Sequence, residues 1–194
     1  MLSNHAWSVA LMLGCVWTLV NLTVYGLRTR GGRRLGWIGS LSIWAWGLYV
    51  ALTIVVGAIQ RPFGLDLPIL GRVVALMLAL AGGALALRGM REFRSLARIS
   101  ALDETRLVTS GIYAWVRHSQ VAGLLLVAFG LSLASGTLVG VCVSAVLVAW
   151  SVVQTRLEDR RLIVMFGDEA RRYIASVPAY LPRIPRTRAL DARS

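Results

Sequence analysis

The sequence predicts an all-α fold, a polytopic transmembrane helical bundle of about five spans. Three observations carry that expectation. Of the 194 residues, 57% are hydrophobic and only 15% are charged, where a soluble domain would carry about a quarter. The apolar residues form long uninterrupted blocks, enough to cross a hydrocarbon core of about 30 Å at about 1.5 Å per residue. The polar residues between the blocks are rich in arginine and gather at alternate connections.

The first span is expected over about residues 6–27, followed by a short loop with four arginines, Arg28, Arg30, Arg33 and Arg34. The second covers about 35–60. Its aromatics, Trp37, Trp44, Trp46 and Tyr49, suit a membrane–water interface. Residues 61–66, from Arg61 to Asp66, read as a turn without net charge. The third span covers about 67–87, with Arg72 near its start able to snorkel to headgroups. It leads into an amphipathic surface segment at 89–98, in which Arg91, Arg94 and Arg98 share one side and Met90, Phe93 and Ala97 another. A polar loop at 100–111 follows.

Residues 119–150 contain no charge. As one helix they would measure about 48 Å, longer than a crossing needs. The cluster Ala134-Ser135-Gly136-Thr137 is turn-like, so spans four (about 119–133) and five (about 137–155) are expected as a tight hairpin. Gly136 and Gly140 form a small-xxx-small face suited to close helix packing. Beyond span five, helix continues over 158–166, Gly167 ends it, and Asp168 is placed to cap a second short helix at 169–176. Pro178, Pro182 and Pro185 then break regular structure. The chain thus divides into N-terminal spans at 1–87, a motif-bearing region at 88–184 and a loose tail at 185–194.

Net charge is +12, and every basic residue is arginine. The arginines lie in short blocks between apolar spans, which fits the positive-inside rule and anionic headgroups better than nucleic acid. Loop one has four, residues 88–106 have five, and the chain from Arg156 onward has nine. The alternate connections have one and none. An amino terminus outside and a carboxyl terminus in the cytoplasm satisfy that bias. Cys15 and Cys142 both fall within apolar spans, so neither a disulfide framework nor a metal site is expected. Residues 1–7 lack a basic stretch, and no cleaved signal peptide is expected.

Two polar clusters interrupt this pattern. Leu107-Val108-Thr109-Ser110-Gly111-Ile112-Tyr113-Ala114-Trp115-Val116-Arg117-His118 packs a turn, two aromatics, an arginine and one of two histidines into twelve residues. Arg156-Leu157-Glu158-Asp159-Arg160-Arg161 follows span five. The topology returns both to the same membrane face, where they can build one polar site. Glu158 is costly at the end of a span without a partner, and Arg161, Arg160 and Arg117 are candidates. An interfacial Glu–Arg pair is the plain reading, and a ligand contact is the functional one. His118 similarly either satisfies a backbone carbonyl or lines a pocket with Tyr113 and Arg117, in which an adenine stacks and an arginine holds a carboxylate. Trp115 reads as an interface anchor. His5 lies at the other side of the membrane in this topology, which argues against a two-histidine metal site. Gly-x-Gly-x-x-Gly after a strand, the P-loop, His-Glu-x-x-His and Gly-x-Ser-x-Gly are all missing from the sequence.

The run Leu107-Val108-Thr109-Ser110-Gly111-x-Tyr113-x-Trp115-x-Arg117-His118, with Glu158-Asp159-x-x-Leu162-x-x-x-Phe166-Gly167-Asp168-Glu169-x-x-x-Tyr173, closely resembles the isoprenylcysteine carboxyl methyltransferase family. That family is related to the phospholipid methyltransferases. The resemblance covers about residues 88–184 and implies an integral membrane methyltransferase using S-adenosylmethionine. It implies cofactor contacts at Leu107, Val108, Tyr113, His118 and Glu158, with Thr105 and Ser119 at the edges. It also implies a lipophilic acceptor entering from the bilayer, and methyl transfer by in-line displacement in a dry, aligned pocket.

Several positions depart from the family pattern. Ser119 and Val121 stand where proline and tyrosine usually follow the histidine, and Ile112 where proline usually precedes the tyrosine. Gln154 occupies the position of an arginine that orients a substrate carboxylate. The residues expected to act on the reacting groups are therefore Glu158, Arg117 and Gln154, and a neutral glutamine argues against a carboxylate acceptor. Two alternatives stay open. One is a sterol-type membrane reductase using NADPH, whose asparagine–tyrosine pair and lysine–tyrosine–glycine–tryptophan stretch are missing from the sequence. The other is a non-catalytic membrane protein of the same family.

Overall fold

A computed structural model describes residues 4–29, 48, 51–57, 59–60, 64–93 and 106–182. The described residues are helical with one isolated bridge, Gly64 to Thr137, and no strand. We number the helices α1 (Asn4–Thr29), α2 (Ile69–Phe93), α3 (Ser119–Ser135), α4 (Leu138–Phe166) and α5 (Asp168–Ser176), with a 3-10 turn at Gly111–Ala114 before α3. Residues 51–57 and 59–60 are also helical. The tryptophans of expected span two, residues 30–34 of the expected arginine loop, residues 94–105 and the tail from 183 lie outside the described residues.

Among the described residues, two helices are long and apolar enough to cross a membrane, Ile69–Glu92 and Leu138–Phe166, and two shorter apolar stretches are Met12–Asn21 and Ser119–Ser135. Large apolar side chains such as Ile69, Leu70, Val74, Met77 and Leu80 point outward from α2. In water that surface would be a severe liability; in lipid it is the expected exterior.

Since lipid removes most of the hydrophobic drive for helix association, close contact must come from small residues. Helix α2 presents Ala75, Ala79, Gly82, Ala86 and Gly89, all buried, at alternating spacings of four and three. They meet Ser119, Gly123 and Gly130 of α3. A methyl group on Gly82 would lie 2.6 Å from the Gly123 carbonyl oxygen, and one on Gly130 would lie 2.6 Å from the Ala75 carbonyl oxygen. Backbone therefore approaches backbone where Gly123 meets Gly82 and Ala86 and where Gly130 meets Ala75 and Ala79, and dispersion acts across those contacts.

The turn at Gly136-Thr137 joins α3 to α4. Gly136 has φ +67, which only glycine adopts without strain, and its amide bonds the Leu133 carbonyl. Thr137 caps α4 by accepting from the Gly140 amide. Gly140 lies against Ser132, where a methyl group would come within 2.6 Å. The expected Gly136/Gly140 face is thus spent inside the chain, one glycine in the turn and the other in the hairpin contact. Leu65 donates its amide to the Gly136 carbonyl at 2.8 Å, and Arg72 donates to the Leu67 carbonyl at 3.1 Å. The connection before α2 and the hairpin turn therefore share one end of the bundle. Trp7, Ile54, Ala128, Val139, Val143, Leu147 and Trp150 form the core that brings α1 against α4.

Span five and the helix expected beyond it over 158–166 form one continuous helix to Phe166. Gly167 (φ +56) ends it and itself holds the N-cap position of α5, so Asp168 is the first helical residue rather than the cap. A glycine reaches this backbone conformation at little cost, and Asp168 and Glu169 still favour the first turn through the helix dipole.

Candidate functional site

The polar site forms at the end of the bundle opposite the Gly136 turn. Here the end of α2, the 3-10 turn, the start of α3, the second half of α4 and the segment after α5 converge. Gly89 makes the convergence possible. A methyl group there would lie 2.8 Å from Ser119 Oγ and Gln120 Cγ and 3.3 Å from the Tyr113 hydroxyl. The Tyr113 hydroxyl is 3.4 Å from the Gly89 carbonyl oxygen.

The 3-10 turn aims Tyr113 inward, where it is buried, and leaves Trp115 61% exposed. Burial, the dominant influence, raises the Tyr113 phenol well above its ordinary range, with the Glu158 charge adding to it. Gly111 (φ +60) opens the turn, and its backbone lies against the Glu92 carboxylate.

Arg117 and His118 follow. The Arg117 guanidinium donates to the carbonyls of Ile174 and Val177, both at 2.6 Å, and to Asp159 Oδ2 at 2.9 Å. The amides of Arg117 and His118 donate to the carbonyls of Pro178 and Ala179 at 3.0 and 2.9 Å. The chain after α5 is thereby stitched across the start of α3. A planar, five-donor guanidinium can serve these directions at once.

His118 holds the N-cap position of α3, but its side chain takes no part in capping. Its Nε2 lies 3.1 Å from Asp159 Oδ1 and its Nδ1 lies 3.7 Å from Glu158 Oε2. Of the two readings of His118, the backbone carbonyl gives way to a contact with two carboxylates. Of the arginines offered as partners for Glu158, Arg117 is turned elsewhere. Arg117 pairs with Asp159, because adjacent residues on α4 point about 100° apart and Asp159 is the one turned towards the Arg117 side. Arg160 is exposed and Arg161 is buried.

Tyr180 closes the site from the far side. Its hydroxyl lies 2.5 Å from Thr155 Oγ1 and donates to the Ser151 carbonyl at 3.1 Å. Its ring centroid is 6.1 Å from that of His118. Tyr173 donates its hydroxyl to the Tyr113 carbonyl at 2.8 Å. Burial raises both phenols, Tyr173 to about 12.

Of the residues expected from sequence, Tyr113, Arg117, His118, Ser119 and Glu158 come together here. Ser119 is fully buried as the first residue of α3. Leu107 and Val108 are half-buried in the irregular segment that leads to the 3-10 turn. Gln154 lies one helical turn before Glu158, its side-chain oxygen buried without a hydrogen-bond partner among the described residues. Thr105 lies outside the described residues. Sequence reasoning passed over Asp159, Tyr173 and Tyr180 as site residues. Asp159 and Tyr173 stood inside the quoted motif, so their polar side chains at fixed spacing were a usable signal.

The sequence profile of the phospholipid methyltransferase family matches residues 70–169, just over half of the chain. The chain belongs to this family. The matched stretch holds both polar clusters, while the carbonyls that clamp Arg117 and the Tyr180 strap lie beyond it. Among curated relatives, the protein-S-isoprenylcysteine O-methyltransferase of Schizosaccharomyces pombe is 37% identical over 81 residues, covering 41% of this chain and 34% of that protein. The Homo sapiens protein of the same name is 39% identical over 89 residues, covering 42% of this chain and 29% of that protein. The matches therefore span about a third of each relative's length. Family membership and the apolar helices together make this a membrane protein.

Proposed function

We propose that this protein is an integral membrane methyltransferase that binds S-adenosylmethionine at the Tyr113–His118–Glu158 site and methylates a lipophilic acceptor from the bilayer. The observation that carries the reading is the meeting of His118 with Glu158 at 3.7 Å, forty residues apart in sequence. It unites the two halves of the motif shared with the isoprenylcysteine enzymes. The residues fit the cofactor's charge. Glu158 is 38% exposed on its side chain, and its neighbour among the described residues is His118, which carries charge only when protonated, so the carboxylate is open to a cation. S-adenosylmethionine, when bound, supplies a methyl group made electrophilic by its sulfonium.

The chain's own residues then have distinct tasks. Glu158 and His118 hold the polar end of the cofactor. Tyr113 and Tyr180 wall the site with aromatic surface. The strap at 177–180 keeps water from the start of α3, which matters because a dry, aligned pocket is where methyl transfer gains most of its rate. Gln154 lies deeper along α4 than Glu158, on the side from which an apolar acceptor would arrive. Its uncharged amide suits a neutral hydrogen-bonding acceptor over a carboxylate. In the proposed orientation, the site faces the cytoplasm and the amino terminus lies outside.

Transfer of a labelled methyl group from S-adenosylmethionine to lipid and small lipophilic compounds in membranes containing the protein tests this reading. Labelled product that depends on Glu158 supports it. If no acceptor fraction takes label, while the purified protein binds NADPH, the reductase alternative replaces it.

A further inference from the structure

Asp159 touches both members of the Arg117–His118 pair, and each contact constrains the next. Its Oδ2 accepts from the Arg117 guanidinium at 2.9 Å, and its Oδ1 lies 3.1 Å from His118 Nε2. Arg117 is itself anchored on the Ile174 and Val177 carbonyls at 2.6 Å. The carboxylate is therefore oriented from the backbone at the end of α5. A carboxylate that pairs with a guanidinium offers only acceptors, so the hydrogen in the second contact belongs to Nε2. A neutral imidazole has one N–H, and Nδ1 is then a bare lone pair. That lone pair lies 3.7 Å from Glu158 Oε2, another acceptor. Two acceptors facing one another leave room for a donor that bonds both.

We propose that Asp159 is a positioning residue: it fixes His118 as the Nε2–H tautomer, so that Nδ1 and Glu158 form an acceptor pair for a cationic N–H donor such as an α-ammonium group. A histidine whose far nitrogen is held by a carboxylate has its tautomer and ring angle set in this way. The pairing also accounts for the charges. Arg117 and Asp159 cancel, and the charge of Glu158 is left for the ligand. The ligand's identity rests on the S-adenosylmethionine reading; the tautomer does not.

The chain has two histidines, His5 and His118, so imidazole 15N spectra of the full-length protein in lipid nanodiscs can be assigned with a His5→Ala variant. At about pH 8.5, above the usual imidazole range, His118 is expected to show the Nε2–H tautomer with a solvent-protected proton. In Asp159→Asn, the side-chain oxygen turns to Arg117 and the amide NH2 to His118. Nε2 becomes an acceptor and the hydrogen moves to Nδ1, blocking the pair with Glu158. We expect this tautomer switch, together with a loss of S-adenosylmethionine affinity of about tenfold or more. A wild-type Nδ1–H or imidazolium form, or an unchanged tautomer in Asp159→Asn, overturns the proposal. If that variant does not fold, the wild-type spectrum decides: a protected Nε2–H proton supports the proposal and its absence overturns it. If the tautomer switches as stated but neither protein binds S-adenosylmethionine, the cofactor reading fails and the role of Asp159 stands.

Discussion

The Tyr173 hydroxyl donates to the Tyr113 carbonyl across 2.8 Å, tying α5 to the turn that begins the site. Both residues are buried. Tyr173→Phe leaves that carbonyl unsatisfied, which costs about 1–2 kcal/mol. A lower thermal midpoint in detergent checks it, with the helical content of the folded protein unchanged.

The same residue gives the protein an alkaline limit. Burial pushes the Tyr173 phenol up to about 12 from 10.0. The native phenol therefore keeps a proton that the unfolded chain has lost above pH 10, so stability falls as pH rises. The contribution is intact below pH 10 and drains away between pH 10 and about 12. Tyr113 acts in the same direction. Unfolding series across this range are expected to fall less steeply for Tyr173→Phe than for the native protein.

Gly89 and Gly83 are both on α2, but only one approaches the site closely. A methyl group at Gly89 collides with Ser119 and Gln120 at 2.8 Å, while at Gly83 the nearest neighbour is Val127 at 3.9 Å. Gly89→Ala is expected to cost about 1–3 kcal/mol through overpacking and to weaken cofactor binding. Gly83→Ala is expected to be neutral or stabilising by up to about 1 kcal/mol. Paired melting and binding curves for the two variants check this difference.

Arg117→Lys keeps the charge but not the geometry. One ammonium cannot reach Ile174, Val177 and Asp159 as the planar fork does. The side chain is 10% exposed, so water replaces the lost bonds poorly, and we expect a loss of about 2 kcal/mol or more. Proteolysis near residues 174–182 should quicken in the variant as the strap loosens.

How much of this was legible in the residues depends on what kind of contact was involved. The break between α3 and α4 was readable, because thirty-two uncharged residues exceed one crossing and Gly136 interrupts them. From that break followed the approach of Glu158 to His118. The division of labour between Glu158 and Asp159 was not readable, since two adjacent carboxylates differ only in helix rotation. The strap was hidden for another reason. Arg117 and His118 meet the carbonyls of residues 174, 177, 178 and 179, and backbone acceptors carry no side-chain signature. The seam of Ala75, Ala79, Gly82, Ala86 and Gly89 did carry one. Its alternating spacing marks the α2–α3 contact more clearly than the Gly136/Gly140 pair marks any interface.

Calorimetric titration of the purified protein with S-adenosylmethionine tests the central claim most directly. We expect binding at one cofactor per chain, abolished by Glu158→Ala and by His118→Ala in proteins that retain their helical content. Heat with NADPH and none with S-adenosylmethionine, or normal binding by both variants, would contradict it.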